Sequence, residues 1–206
     1  MQKNSSFSYP LTGIVMIGVL VGTIFILRWL GPKIPRVDAS FERAKGPVSA
    51  TIQVIEYSDF QCPACREAQP ELSDLLTLHK EKIRLIYRHF PIDGHRWSAL
   101  AHQAAECAAE QNQFWSYHDR LYREQPYWSI ATEVPLETFV RYAKEARLDL
   151  DRFSRCLSDP AVNRKIQAER SAGVGLGVRS TPSFFVNGNL VVSIKSLREK
   201  LEQLTR

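Results

Sequence analysis

Two cysteines separated by two residues, Cys62-Pro63-Ala64-Cys65, constrain the fold of this chain more than any other feature. Residues 48–58 before them are rich in β-branched and aromatic residues, whereas residues 66–76 after them have apolar residues at helical spacing. The pair therefore lies where a strand is followed by a helix. Unpaired backbone N–H groups at a helix start favour a thiolate, so Cys62 is predicted to be the nucleophile and Cys65 its sheltered partner.

The remaining elements follow in a mixed α/β order. A second strand is predicted at residues 82–90, and the pattern is then helical from about residue 97 to residue 173. Helices are predicted at 99–111, 114–123, 136–148 and 151–157, and a further one begins at Asp159-Pro160. Strand character returns at residues 183–193 around the turn signal Asn187-Gly188, and an amphipathic helix at 196–204 follows.

Most of the excess of basic over acidic residues lies in the N-terminal segment of the chain. The 206 residues include 27 Lys and Arg and 22 Asp and Glu. The first 36 residues hold four of the basic residues and no acidic residue, so residues 37–206 carry 23 basic and 22 acidic residues. A nucleic-acid-binding domain needs an excess of basic residues on one face, so the composition argues against a nucleic-acid partner.

Residues 1–30 are predicted to form an N-terminal transmembrane anchor. Residues 11–27 carry no charge, and extension past Arg28 to Leu30 gives a helix of about 30 Å, which matches the hydrocarbon core of a bilayer. A cleaved signal sequence is the alternative, because Val37-Asp38-Ala39 has small residues at peptidase spacing. Residues 31–47, rich in Gly and Pro, are predicted to be a linker. The basic residues after the span, taken alone, favour a cytoplasmic domain.

Three separated motifs resemble those of one family. They are Asp59-Phe-Gln-Cys-Pro-Ala-Cys65, Gln113-Phe-Trp-Ser-Tyr-His-Asp119 and Gly177-Val-Arg-Ser-Thr-Pro-Ser-Phe-Phe-Val-Asn-Gly188. In this order they resemble the DsbA-like thiol:disulfide oxidoreductases, and the resemblance extends from about residue 48 to residue 204. It implies an α/β thioredoxin fold over residues 48–206, with a helical insertion at about 95–176, preceded by the one transmembrane helix.

The resemblance also implies roles for the motif residues. Cys62 would form the mixed disulfide with a substrate, and Cys65 would resolve it. Pro182 would be in cis beside the cysteines, with the backbone at Thr181 pairing with a bound substrate chain. The alternatives are a stable disulfide or half a zinc site for the cysteines, and a simple strand start for Pro182.

Glu56 and Ala64 are the two positions that bear on proton and redox chemistry. Family members resemble this chain in having an acidic residue at the position of Glu56, beneath the disulfide. Burial there would raise the pKa of the carboxyl and allow it to exchange a proton with Cys65. The alternative is a solvent-facing Glu56, with Ile55 and Tyr57 facing the core. Ala64 departs from the family's Cys-Pro-His-Cys form, so a less depressed Cys62 pKa and a weaker oxidant are predicted.

Cys107 and Cys156 lie in the helical region, outside any Cys-x-x-Cys motif. Some DsbA-like proteins carry a second disulfide there, so the resemblance implies a structural Cys107–Cys156 bond; two buried free thiols are the alternative. Because structural disulfides persist in oxidising compartments, this outweighs the charge signal and places residues 37–206 outside the cytoplasm.

The histidines and aromatic residues of the helical region admit two interpretations each. His95 is placed to approach the cysteines, but ordinary structural roles are favoured for it and for His89, His102 and His118. The aromatic residues could form a peptide-binding surface, but core packing is favoured for them; they are Phe114, Trp115, Tyr117, Tyr122, Tyr127 and Trp128.

The sequence thus predicts a membrane-anchored, extracytoplasmic oxidase that needs no cofactor or metal. Its expected substrates are reduced or misoxidised secreted proteins, and its expected recycler is a membrane partner of the DsbB or vitamin-K-epoxide-reductase type. A reductase or isomerase of the same fold is the main alternative. A redox-independent chaperone and a copper-binding module are further ones, although Met1 and Met16 are the only methionines and both precede the domain.

Overall fold

The computed structural model describes residues 43–205. The predicted anchor at residues 1–30 and most of the predicted linker lie outside this range, so the transmembrane helix stays a prediction. Within residues 43–205, no helix is both long enough and apolar enough to cross a membrane.

Five strands in the described part of the chain form one mixed sheet. Their order is β1-β3-β2-β4-β5, with β2 parallel to β3 and the other neighbours antiparallel. The strands are β1 (Ala44–Lys45), β2 (Ile52–Ser58), β3 (Ile83–His89), β4 (Ser183–Val186) and β5 (Asn189–Val192). The central position of β2 brings the residues that follow it, including the cysteine pair, to the middle of the sheet edge.

Helices cover both faces of this sheet. The helices are α1 (Pro63–Leu78), α2 (Ser98–Ala109), α3 (Phe114–Arg123), α4 (Gln125–Trp128), α5 (Leu136–Glu145), α6 (Leu150–Leu157), α7 (Pro160–Gly175) and α8 (Ile194–Thr205). Helices α2 to α7 form the predicted insertion between β3 and β4. This order of strands and helices is a thioredoxin-like α/β fold.

Strand β2 is buried on both faces, which a simple alternation of apolar and polar residues does not predict. Ile52 and Val54 pack with α1 and α8 in one hydrophobic core. Tyr57 lies on the opposite face, where its ring makes edge contacts with Phe90 and Phe185. Gln53 near the start of β2 is exposed, but Glu56 and Ser58 in its second half are enclosed.

The folded region begins earlier than the sequence predicted. Ala44 and Lys45, assigned to the linker, form β1 and pair with β3. The Arg43 side chain is 2% exposed and donates two hydrogen bonds to Glu169 of α7. The C-terminal end of the predicted 31–47 linker is therefore part of the fold, because the edge of β3 and the Glu169 carboxylate hold it there.

The disulfide Cys107–Cys156 joins α2 to α6, with 49 residues between the two positions and a Cα–Cα distance of 5.6 Å. We expect the double variant Cys107→Ala/Cys156→Ala to unfold more easily by about 4 kcal/mol, because the bond restricts a long loop of the unfolded chain. Urea unfolding of the full chain measures this difference. Cys62 and Cys65 are kept in the same redox state in both proteins, so that the difference reports the Cys107–Cys156 bond alone. A loss below about 1 kcal/mol contradicts the expectation.

Candidate active site

Cys62 stands at the start of α1, where the sequence placed it. It is the residue that precedes the first helical turn, and Pro63 occupies the first helical position. Both Cys62 and Cys65 are unpaired thiols, and their exposed fractions are 8% and 0%. Cys62 is thus the cysteine that a substrate can reach, whereas Cys65 lies beneath the helix start.

The two thiols have opposite tendencies to ionise. A hydrogen bond from Cys65, aided by Thr181 and by the backbone N–H groups of Cys65 and Ala64, lowers the pKa of Cys62 to about 5. Burial and the neighbouring Cys62 sulfur raise the pKa of Cys65 well above its usual range. The arrangement favours one thiolate, on Cys62, and one protonated thiol, on Cys65.

The peptide bond between Thr181 and Pro182 is cis and immediately precedes β4. The Sγ of Cys62 lies 3.6 Å from the Thr181 carbonyl oxygen, although the two residues are 119 positions apart in sequence. Thr181 Oγ1 is buried and has no hydrogen-bond partner within residues 43–205. Pro182 therefore does more than begin a strand: the turn that contains it forms one wall around the Cys62 sulfur.

Glu56 is completely buried on β2, so the solvent-facing alternative is wrong. Its Oε1 accepts a hydrogen bond of 3.1 Å from Gln69 Nε2 of α1, while its Oε2 has no partner in the described residues. Burial raises the pKa of Glu56 from 4.5 to about 7, against the opposing effects of Ser58, Gln69 and Lys45. A proton acceptor that titrates near neutral pH thus lies below the cysteine pair; its role in catalysis stays a prediction.

Asp59, between β2 and the cysteines, is the most extensively bonded side chain of the site. Its Oδ1 accepts hydrogen bonds from Gln61 N at 2.9 Å and Ser98 Oγ at 2.7 Å. Its Oδ2 accepts one from Ile92 N at 3.0 Å and lies 2.6 Å from His95 Nδ1. The carboxylate therefore joins the loop before Cys62 to the segment that opens the helical insertion.

The Asp59 backbone reaches both cysteines. Its carbonyl oxygen accepts a hydrogen bond from Cys62 N at 3.1 Å, and its N–H donates to Cys65 Sγ at 3.5 Å. Burial raises the pKa of the Asp59 carboxyl, but the nearby His102 and hydrogen bonds from Ser98 and Gln61 prevail and lower it to about 2. Asp59 thus stays ionised and holds the cysteine turn in place.

His89 and His102 have structural roles, as the sequence favoured, whereas His95 approaches the cysteine turn, which was the alternative. His95 contacts Asp59 directly. His89 and His102 are fully buried, with their Nδ1 atoms 2.6 Å apart, and His89 Nε2 lies 3.1 Å from Glu106 Oε2. These side chains connect Asp59 to α2. The sequence gives no signal that His89 and His102 meet, because this contact depends on how α2 packs against β3.

Two glutamines also hold the cysteine turn, and the sequence analysis missed both. Gln125 Nε2 donates to the carbonyl oxygens of Phe60 at 2.7 Å and Cys62 at 3.0 Å. Gln61 accepts a hydrogen bond from Trp97 N at 2.7 Å and donates to Ser129 O at 3.0 Å. Gln61 lies next to the motif and carried a positional signal, whereas Gln125 lies 63 residues away and carried none.

The aromatic residues divide between the core and the surface. Phe114, Tyr117, Tyr122 and Trp128 are buried, which agrees with the favoured interpretation as core residues. Tyr127 is 74% exposed. Trp115 is half-buried. Tyr127 and, in part, Trp115 are therefore the members of the six that are available for contact with another molecule.

Known proteins with similar sequences identify the family of this chain. A family profile described as thioredoxin matches residues 40–204. A probable disulfide bond formation protein D from Bacillus anthracis is 31% identical over 161 residues, which cover 73% of this chain and 72% of that protein. The Na(+)/H(+) antiporter NhaA 3 of Salinispora tropica is 39% identical over 153 residues, which cover 74% of this chain and 22% of the antiporter. The chain spans about a fifth to a third of the length of such antiporter relatives.

Solved structures show the same fold. A thioredoxin-like oxidoreductase from Silicibacter pomeroyi is 28% identical with a TM-score of 0.65, and the match covers 79% of this chain and 91% of that one. The α-DsbA1 protein of Wolbachia pipientis has a TM-score of 0.69 at 22% identity, with coverage of 79% and 89%. The second match, below 25% identity, supports the fold alone.

The raised pKa of Glu56 makes the stability of the fold depend on pH. The carboxyl is protonated in both states below pH 4.5, and the unfolded chain ionises first as the pH rises, so stability falls between pH 4.5 and about 7. Glu56→Gln removes this loss. We expect this variant to be more stable than the parent by roughly 3 kcal/mol at pH 8 and about equal to it at pH 4.

Urea unfolding of the reduced full chain across this pH range tests the expectation. Glu67→Gln, at an α1 position whose side chain is 71% exposed, is the matched control and should leave the profile unchanged. Equal stability of the Glu56→Gln variant and the parent at pH 8 would contradict the buried, neutral carboxyl.

Replacement of Asp59 by Asn should destabilise the fold by about 3 kcal/mol at pH 7, because an amide turns one acceptor into a donor that faces buried donors. The loss should shrink as the pH falls from 3.8 towards about 2, where the parent carboxylate becomes protonated. Asp119→Asn is the control, since Asp119 also pairs with a histidine, at 2.7 Å, but its side chain is 56% exposed. It should cost less than about 1 kcal/mol. Similar losses in the two variants, measured by urea unfolding, would refute the assignment.

Proposed function

The chain belongs to the thioredoxin family, and we propose that it is a thiol:disulfide oxidoreductase that acts as an extracytoplasmic, DsbA-like oxidase of protein substrates. One observation carries the proposal: Cys62, with a lowered pKa, stands at the start of α1 beside the cis bond at Pro182. A thiolate at that position is a good leaving group and a good nucleophile.

The proposed reaction begins with the Cys62–Cys65 disulfide. A substrate thiolate attacks Cys62 Sγ, the bond between the two cysteines breaks, and Cys65 leaves as a thiolate that takes a proton. A second substrate thiolate then attacks the substrate sulfur of the mixed disulfide, and Cys62 leaves as a thiolate. The substrate gains a disulfide, and its two electrons remain on Cys62 and Cys65. A membrane partner of the DsbB or vitamin-K-epoxide-reductase type would accept these electrons.

Glu56 is the proposed proton donor to Cys65. The Cys65 thiol has a raised pKa, so its thiolate is strongly basic when it leaves. A carboxyl with a pKa of about 7 holds a proton in half of the molecules near neutral pH. Thr181 and Pro182 are proposed to bind the substrate backbone next to Cys62.

The oxidising direction is supported by the ionisation of Cys62. A lowered pKa stabilises the reduced form of the enzyme, which makes its disulfide a better oxidant. Its value of about 5 lies above the 3.5 typical of the most strongly oxidising members of this class. The weaker oxidising power predicted from Ala64 stays a prediction, and a reductase or isomerase is the alternative function.

Two exposed apolar side chains near the cysteine turn support protein substrates. Tyr127 and Ile130 are 74% and 79% exposed, and they lie close in sequence to Ser129, whose carbonyl oxygen accepts a hydrogen bond from Gln61. Apolar side chains exposed together near a reactive group are typical of sites that bind other polypeptides. Reduced or misoxidised secreted proteins, which expose apolar segments, are the proposed substrates.

The location is proposed from the chemistry of Cys107 and Cys156. Their disulfide is expected to persist only in an oxidising compartment, such as the periplasm or the cell exterior. Residues 1–30 are proposed to hold the domain at the inner (cytoplasmic) membrane. What the antiporter relatives transport is not carried over to this chain.

Trapping of mixed disulfides tests the proposed function. In cells that express the full chain, Cys65→Ser should accumulate disulfide-linked adducts through Cys62. The Cys62 thiolate of this variant can attack a substrate disulfide, and no Cys65 thiolate is present to displace the substrate sulfur. Cys62→Ser should form none, since Cys65 is fully buried. Nonreducing gels after acid quench and alkylation measure both.

The redox state of Cys62 and Cys65 in the parent protein in cells shows whether the protein acts as an oxidase or as a reductase. We expect Cys62 and Cys65 to be mostly oxidised in cells, as an oxidase requires. A mostly reduced pair, with adducts still formed by Cys65→Ser, would replace the oxidase by a reductase or isomerase. Adducts at equal levels in Cys62→Ser would overturn the nucleophile assignment.

A further inference from the structure

A cavity of about 350 Å³ lies between α1, α3 and the β1–β3 side of the sheet, away from the Cys62 sulfur. Its floor is apolar and includes Leu72 and Leu76 of α1, Leu85 of β3 and Trp115 of α3. The volume is at the small end of the range for pockets that bind small molecules. The cavity therefore has room for a compact ligand with an apolar body.

The rim of this cavity is positively charged. Lys45, Arg66 and Arg123 line it, and Asp119 is the one carboxylate among its lining residues. The Asp119 carboxylate is engaged at 2.7 Å by His118 Nδ1. The charges of Lys45 and Arg123 also help to lower the pKa of Asp119. The three cations still exceed this one acid, and the excess positive charge lies above an apolar floor.

The rim cations are weakly paired. Lys45 Nζ lies 4.2 Å from the centre of the Trp115 ring, and within residues 43–205 it makes no ion pair. Arg66 and Arg123 approach carboxylates of adjacent residues only at 4.0 Å and 3.8 Å. A carboxylate that entered the cavity would therefore meet cations that are still able to bind it.

We propose that this cavity binds a small amphipathic carboxylate. The ligand's apolar body lies on Leu72, Leu76 and Trp115, and its carboxylate lies between Lys45 and Arg123. An uncharged apolar ligand leaves the rim cations without a partner, and a cationic ligand is repelled by them. The combination of floor and rim therefore selects an anion with an apolar body.

The cavity also adjoins the residues beneath the cysteines, although the proposal does not depend on the redox function. Gln69 lines the cavity and donates a hydrogen bond to Glu56, and Tyr122 lines it and lies 2.9 Å from Ser58 Oγ. One layer of side chains thus separates a bound carboxylate from the buried acid of the site.

The test is a fluorine NMR titration of the full chain with para-trifluoromethylbenzoate. The neutral amide of the same body, para-trifluoromethylbenzamide, measures binding without the charge. We expect saturable binding of one carboxylate per chain, and affinity for the amide lower by roughly five- to tenfold, the effect of one charge-assisted contact at a partly exposed site. Equal affinity for the two probes, or no saturation, overturns the proposal.

Variants locate the site. Lys45→Gln and Arg123→Gln should each weaken carboxylate binding by about fivefold and leave amide binding unchanged, whereas the matched control Lys80→Gln, at an exposed position outside the cavity, should change neither. Ser73→Trp fills the cavity from an exposed position of α1 and should block both probes. Binding that survives Ser73→Trp, or weakens equally with Lys80→Gln, places the probe elsewhere and refutes the cavity.

Discussion

The buried carboxylate of Asp59 is the interaction on which the rest of the site depends. A buried charge is stable only when hydrogen bonds replace the water that it has lost. Asp59 obtains these from Gln61 and Ser98 on one oxygen, and from Ile92 and His95 on the other. Gln61 belongs to the cysteine turn, Ile92 and His95 lie between β3 and α2, and Ser98 begins α2, so the carboxylate fixes the insertion relative to the sheet.

That constraint reaches the redox chemistry through the backbone. The Asp59 carbonyl and N–H contact Cys62 N and Cys65 Sγ, so the position of the carboxylate sets the position of the cysteine turn. Gln125 binds the same turn from α4 through the Cys62 carbonyl. The helical insertion is therefore part of the active site: it supplies contacts that a thioredoxin sheet alone lacks.

The sequence predicted the elements with strong periodicity and missed those that tertiary contacts create. Helix α3 (Phe114–Arg123) was predicted with its observed ends, and the strand before Cys62 and the hairpin at Asn187-Gly188 were also located. Strand β1 has two residues and α4 has four, which is too short for a periodic pattern. The contacts of Asp59 with His95 and of Gln125 with Cys62 join distant segments, so only the fold reveals them.

Two acids on one short segment differ in pKa by about five units because of their donors, not their burial. Glu56 and Asp59 are both fully enclosed, and desolvation raises the pKa of each. Glu56 accepts one hydrogen bond of 3.1 Å from Gln69 and keeps an unpartnered oxygen, so burial prevails and its pKa rises to about 7. Asp59 has donors on both oxygens, so its pKa falls to about 2. Because Asp59 is surrounded by hydrogen-bond donors, it is a structural group that stays ionised at neutral pH. Because Glu56 has few donors, it can exchange protons near neutral pH.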